Sequence, residues 1–386
     1  MAENHTTLVT GVTPARHGVV GNNYLDRATG KKVTLIADPD YDKDQIVKVP
    51  TIYDLAKAAG LKTAAIRWPA SRHAATLDWT VPDVRSVELI SQYSTPALLA
   101  ETKLAGIDIV GEAKAAFDQG DQFEPPDEMY TRAFNFILRQ HRPNLALLHV
   151  TKVDHTQHLK GPRTEAAYAE VKAADHEVSE VWDELKRDFP DRATLVIVSD
   201  HGFSEIKRVI LPNVVLRKAG LLTMTGEKET GGSVQLVVQG GSAFLYVRDG
   251  EDRAQVLDRV RKAFSNIEGV SKIVGTGQFK EYGVADPQVD PHAPDIILFA
   301  EEGCTFGDTA AGELPFNEKP ERKGSHGHDP NLPHLGATFV AWGVGIKPGV
   351  RLGEISNTSV APTLAKLLGI AMPNVEGKPL SELLTD

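Results

Sequence analysis

Four short apolar runs stand out along the chain: residues 144–150 (NLALLHV), 194–199 (TLVIVS), 295–299 (DIILF) and 338–342 (TFVAW). Continuous apolar runs of this length predict strands buried on both faces, as in a parallel sheet. Between them the apolar positions fall three and four apart. Residues 164–186 show this best, with Tyr168, Val171, Ala174, Val178, Trp182 and Leu185 forming one stripe, the pattern of a helix that buries a single face. Residues 51–59, 126–141 and 360–368 read as further helices, the last closed by Gly369. Alternating strands and helices predict an open α/β sheet, mostly parallel, with helices on both faces. The texture changes over residues 204–294. Two strands there, 234–238 and 243–247, are joined through Gly240-Gly241, a hairpin signal, and a helix (253–264) and a strand (270–274) follow. This segment is expected to be a small α/β cap insertion, leaving residues 1–203 and 295–386 as the core.

Polar residues with metal-binding chemistry gather where these runs stop. They form three clusters: Asp154-HTQ-His158, Asp200-His201-Gly202 and Gly324-Ser-His326-Gly-His328-Asp329. In open α/β sheets ligands collect beyond the carboxyl ends of the strands, and Asp200 directly follows such a run. A carboxylate and an imidazole buried there are costly unless they are paired or bound to a cation. Asp154 and His158 have the spacing of one helix face, although Gly161-Pro162 favours a loop or a short turn. His155 serves as the internal control and is expected not to ligate. Of His326 and His328, one is expected to be a ligand and the other to support it. Donors from several strand ends are how a pair of divalent metals is held for an in-line displacement.

Composition narrows the class. The 386 residues are 41% hydrophobic and carry a net charge of −10. That charge argues against a nucleic-acid polymer as partner, since such binding is mainly phosphate neutralisation by Lys and Arg. It leaves room for a small phosphoester docking on metal ions. Cys304 is the single cysteine, which excludes an internal disulfide and a multi-thiolate metal site. His and carboxylate donors suit zinc, manganese or iron, with imidazole favouring zinc. No apolar stretch approaches the roughly 20 residues of a membrane span. The first residues lack the pattern of a signal peptide, so the chain as written reads as cytoplasmic. It would be periplasmic or secreted if an upstream segment carried a signal.

The motifs together resemble the nucleotide pyrophosphatase/phosphodiesterase branch of the alkaline phosphatase superfamily. Residues 4–23 (NHTTLVTGVTPARHGVVGNN) resemble that family's stretch from just after its catalytic threonine to its phosphoryl-binding asparagine. Asp154-HTQHLKGP, Asp200-His201-Gly202, Gly324-Ser-His326-Gly and the tail SVAPTLAKLLGIAMPNVEGKPL resemble its later elements. The resemblance implies an alkaline-phosphatase-like fold and two zinc ions. Asp154, His158 and His326 would hold one, Asp200 and His201 the other, and Asn22 would contact a phosphoryl oxygen. It also implies hydrolysis of a phosphodiester or pyrophosphate bond in a small phosphoester or nucleotide. The position aligned with the family's threonine nucleophile is Met1, so the nucleophile and one metal-binding Asp are expected to be missing through N-terminal truncation. A phosphonatase resembling the phosphonoacetate hydrolases is the enzymatic alternative. A non-catalytic binder of metal or phosphoester is the other.

Overall fold

A computed structural model describes residues 2–36, 41–120, 125–226 and 228–385. Its parallel sheet has Thr63–Ile66 at the centre, with Trp79–Val81 on one side and Leu145–Leu148 on the other. Helices cover both faces, as the strand–helix alternation predicts. Asp127–His141 places Tyr130, Phe134 and Ile137 in a cluster with Ala64 and Ile66. On the opposite face Ala65, Leu145 and Leu147 meet Ile52 and Tyr53 of Ile52–Ala58 and Val360 and Ala365 of Val360–Leu368. Alternate residues of one strand thus feed two cores.

The strand Thr194–Val198 departs from expectation. It pairs antiparallel with Phe339–Gly343, and among the described residues this pair shares no ladder with the parallel sheet. All five of its residues are half-buried rather than enclosed on both faces. The two pieces nonetheless share apolar contacts, for Leu195 joins the cluster of Ala146 and Leu148, and Val198 and Phe339 join that of Leu145 and Leu147. Two sheet edges, Leu145–Leu148 and Thr194–Val198, are therefore open among the described residues. The long helix Glu165–Asp188 shows a related difference. Its predicted stripe is packed only in the second half, where Trp182 meets Trp342 edge-on at 5.1 Å, whereas Tyr168 and Val171 are 62% and 49% exposed. Spacing selects the face a helix can bury, but burial also needs an opposing surface.

The segment expected to form a cap contributes three strands to a four-stranded antiparallel sheet in the order Val234–Val238, Ser242–Val247, Ile296–Ala300, Val270–Gly275. Ile296–Ala300 occupies an inner position, so the boundary expected after residue 294 runs through this sheet. One face carries Val256, Val260 and Phe264 of the helix Arg253–Phe264. The other, through Phe244, Tyr246 and Phe299, packs on Val19, Val20 and Tyr24 from the start of the chain. This sheet is thereby packed against the start of the chain. No helix among the described residues is long and apolar enough to cross a membrane.

Candidate metal centre

Asp154 and His158 lie on a nine-residue helix, Lys152–Lys160, where the sequence favoured a loop or short turn. The helix starts there because the Asp127 carboxylate accepts from the backbone N–H of Thr151 (2.9 Å) and Lys152 (2.8 Å). Free N–H groups at a helix start need such acceptors. This one comes from another helix and leaves no local sequence signal. Asp127 is itself steadied by Arg67, whose guanidinium lies 3.9 Å from it, donates to Thr151 Oγ1 (2.9 Å) and pairs with Asp83 (3.2 Å). All of these side chains are buried.

The third cluster is fastened to the same helix. His158 Nδ1 donates to the Gly324 carbonyl at 2.9 Å, and the Lys323 N–H donates to the His158 carbonyl at 2.8 Å. The short strand Gly324–Ser325 also pairs with Ser204–Ile210, which follows the second cluster. A side chain at Gly324 would run into the Gln157 carbonyl. The three clusters, distant in sequence, are joined in this way.

Five predicted donors converge. Asp154 Oδ1 lies 3.5 Å from His326 Nε2 and 3.8 Å from His201 Nε2, and Asp154 Oδ2 lies 3.6 Å from His158 Nε2. His201 Nε2 is 3.2 Å from Asp200 Oδ2. The rings of His201 and His326 stack at 3.6 Å. Asp154, His201 and His326 each offer one atom within 4.8 Å of the others, the arrangement a single ion needs. Asp154 Oδ1 is buried and accepts no hydrogen bond, a cost tolerated where a cation fills the space. His158 and His201 have Nδ1 engaged with the carbonyls of Gly324 and Gly202, at 2.9 and 3.1 Å. That leaves each Nε2 lone pair directed inward, the tautomer a metal ligand requires. The donor set therefore fits divalent cations. His155, on the same helix, makes none of these contacts. His328 points away, its Nε2 2.7 Å from the Cys304 carbonyl on the strand Gly303–Phe306.

Electrostatics follow from this crowding. Burial pushes the Asp200 carboxyl up, but His201 and His5 beside it outweigh burial and hold it well below its ordinary value. Burial pushes His201 down, and Asp200 more than reverses that. Burial and then the His201 charge keep His326 well below its usual value, and burial lowers His158. His158 and His326 are thus held as neutral imidazoles, the state in which cations are bound, whereas a cation at His201 would displace the proton that Asp200 favours there.

Asn22 lies in the turn after Val19-Val20-Gly21. Its Oδ1 accepts from the Ala2 N–H at 2.9 Å, and its amide nitrogen has no partner among the described residues. Met1, the position aligned with the nucleophile, lies outside the described residues. Two residues that the sequence reading did not single out also reach the centre. Asn4 Nδ2 donates to the Asp200 carbonyl at 2.7 Å, and His5 Nδ1 lies 3.5 Å from Asp200 Oδ2.

The comparison with known proteins agrees with these motifs. The profile of the type I phosphodiesterase / nucleotide pyrophosphatase family matches residues 2–329. The chain belongs to that family. Human ectonucleotide pyrophosphatase/phosphodiesterase family member 1 is 24% identical over 378 residues, covering 95% of this chain and 35% of the human protein. Ectonucleotide pyrophosphatase/phosphodiesterase 1 of Saccharomyces cerevisiae is 23% identical over 395 residues, covering 95% of this chain and 49% of its own length. The chain thus spans between a third and a half of these curated relatives. Among solved structures, human ectonucleotide pyrophosphatase/phosphodiesterase 5 superposes with a TM-score of 0.73 at 20% identity, covering 100% of this chain and 88% of that one. The murine counterpart, inactive and in complex with AMP, gives 0.72 at 19% identity with the same coverage. The family fold, an α/β sheet of alkaline-phosphatase type, is therefore that of this chain.

Proposed function

We propose that this chain carries the centre of a metal-dependent hydrolase that cleaves phosphodiester or pyrophosphate bonds in small phosphoesters or nucleotides. The reading rests above all on Asp154 Oδ1, buried without a hydrogen bond and facing the Nε2 atoms of His326 and His201 at 3.5 and 3.8 Å. Asp154, His158 and His326 would hold one divalent cation, and Asp200 and His201 would contribute to a second. Zinc is the ion that imidazole and carboxylate donors favour. Bound there, the cations would supply the positive charge that stabilises a phosphoryl group in displacement. The chain's own part is to hold these donors rigidly and to present the Asn22 amide N–H to a phosphoryl oxygen, a fixed donor at developing negative charge. AMP in the murine neighbour supports a nucleotide as one substrate class.

The test pairs metal retention with turnover. Zinc-loaded protein is expected to hold metal through dialysis and, where the family's threonine nucleophile is present, to hydrolyse a chromogenic phosphodiester. His201→Ala or a chelator should lower that turnover by roughly 100-fold or more, the scale of losing a metal-site partner. Turnover confined to phosphonoacetate would replace this reading with a phosphonatase. Tight zinc binding with no turnover of either substrate, even with the threonine nucleophile restored, would leave a non-catalytic binder.

A further inference from the structure

The turn of the inserted hairpin touches both the Asn22 segment and the third Asp/His cluster. Val234–Val238 and Ser242–Val247 pair in register through Val238↔Ala243, so residues 239–241 make the turn. Gln239 Oε1 accepts the Asn22 N–H at 3.2 Å, and Gln239 Nε2 donates to the Asn23 carbonyl. One carboxamide thus grips two successive backbone groups as a paired strand would. Two residues on, the Gly241 N–H donates to the His326 carbonyl at 2.7 Å. We propose that Gln239 is a positioning residue: it fixes the Asn22 amide relative to His326, and so relative to the metal centre.

Four glycines from three separate segments make the junction possible. A Cβ at Gly21 would sit 3.0 Å from the Gln239 carboxamide, and one at Gly240 would sit 2.6 Å from the His326 carbonyl. A Cβ at Gly327 would strike the Gln239 carbonyl, and one at Gly241 would strike the His328 ring. Gly240 and Gly327 also have φ of +78° and +81°, which favour glycine. Contacts this close admit little slippage, so the turn works as a stop rather than a loose lid. Asn22 is oriented by the same arrangement. Its Oδ1 is committed to Ala2 and its backbone N–H to Gln239, which leaves the side-chain amide N–H groups for a ligand.

This inference rests on the proposed phosphoryl contact of Asn22, and inorganic phosphate is the probe that reads it. Binding of phosphate to the zinc-loaded full chain would be measured by calorimetry, with zinc content and melting temperature recorded for each protein. Gln239→Ala is expected to weaken phosphate roughly five- to tenfold, the scale of one lost hydrogen bond, with zinc content unchanged. Asn22→Ala should weaken it at least as much. The double variant should bind no more weakly than Asn22→Ala alone, because Gln239 acts through Asn22. Gln239→Glu keeps the acceptor for Asn22 and loses the donor to Asn23, so its loss should be intermediate; it also serves if the alanine variant fails to fold. Wild-type affinity in both Gln239 variants, or losses that add in the double variant, would overturn the positioning role. Zinc-loaded wild type that binds no phosphate would instead overturn the underlying reading of the site, and this inference with it.

Discussion

His17 shows how a single buried imidazole organises the segment that leads to Asn22. Its Nδ1 accepts the Val19 N–H at 3.1 Å and its Nε2–H donates to Thr7 Oγ1 at 3.0 Å. Thr7 in turn donates to the Glu3 carbonyl. The ring is fully buried and neutral, and burial pushes its pKa down to about 3. An unfolded chain takes up a proton at His17 below about 6.5, whereas the native state resists until about 3. Stability from this group is therefore fully present above 6.5 and falls as pH drops through that window, by about 1.4 kcal/mol per unit. His17→Gln keeps a donor and an acceptor without the proton uptake. Its urea midpoint is expected to be lower than wild type at pH 7 but to fall less steeply between pH 6.5 and 4. Parallel slopes for the two proteins would show that His17 is not the titrating group. At this scale the sequence was informative about donors and blind to their supports. Asp154, His158, Asp200, His201 and His326 carry their chemistry in their type and spacing. Gln239, Asp127 and His17 act through contacts that depend on folding, and nothing in their neighbours marks them.

Among the elements, the helix Lys152–Lys160 depends most on a distant partner. Its N-cap residue, Thr151, makes no side-chain cap bond, and the Asp127 carboxylate supplies one across the fold. Asp127→Ala would free two helix-start N–H groups and remove a carboxylate from the buried Arg67. A cost of about 2–3 kcal/mol follows from the loss of a buried, charged acceptor. Since the helix carries Asp154 and His158, zinc retention should weaken in parallel, with Asp127→Asn showing the smaller change in both. Denaturant unfolding together with zinc competition would measure this, and zinc affinity unmoved by a large stability loss would argue that the helix holds its donors without the cap. Elements whose signals are local were legible. The Gly240-Gly241 hairpin and the helix ending at Gly369 were read from turn residues and periodicity. Orientation was not, because an apolar run such as TLVIVS reads alike beside a parallel or an antiparallel neighbour.

For the whole molecule, the α/β class followed from alternation, but the continuity of the sheet did not. The seam between Leu145–Leu148 and Thr194–Val198 divides the candidate centre as well as the sheet. Asp154 and His158 follow one edge, while Asp200 and His201 follow the other. His326 reaches them through a strand paired with Ser204–Ile210. Among the described residues, side-chain packing and a few hydrogen bonds, rather than a ladder, hold the two margins in place. A cation held by Asp154 and His158 from one margin and by His326 from the other would then clasp the margins together, making the prospective reaction centre a fastener of the scaffold. Ligand binding to the native state alone adds about 4 kcal/mol at 1,000 times the dissociation constant. The melting temperature should accordingly climb with the logarithm of free zinc, and amide exchange at both open edges should slow when zinc is bound. A melting temperature indifferent to zinc would mean that the margins are already locked. If they are not, the protein's firmness and its readiness to bind substrate are one property, set by the metal supply around it.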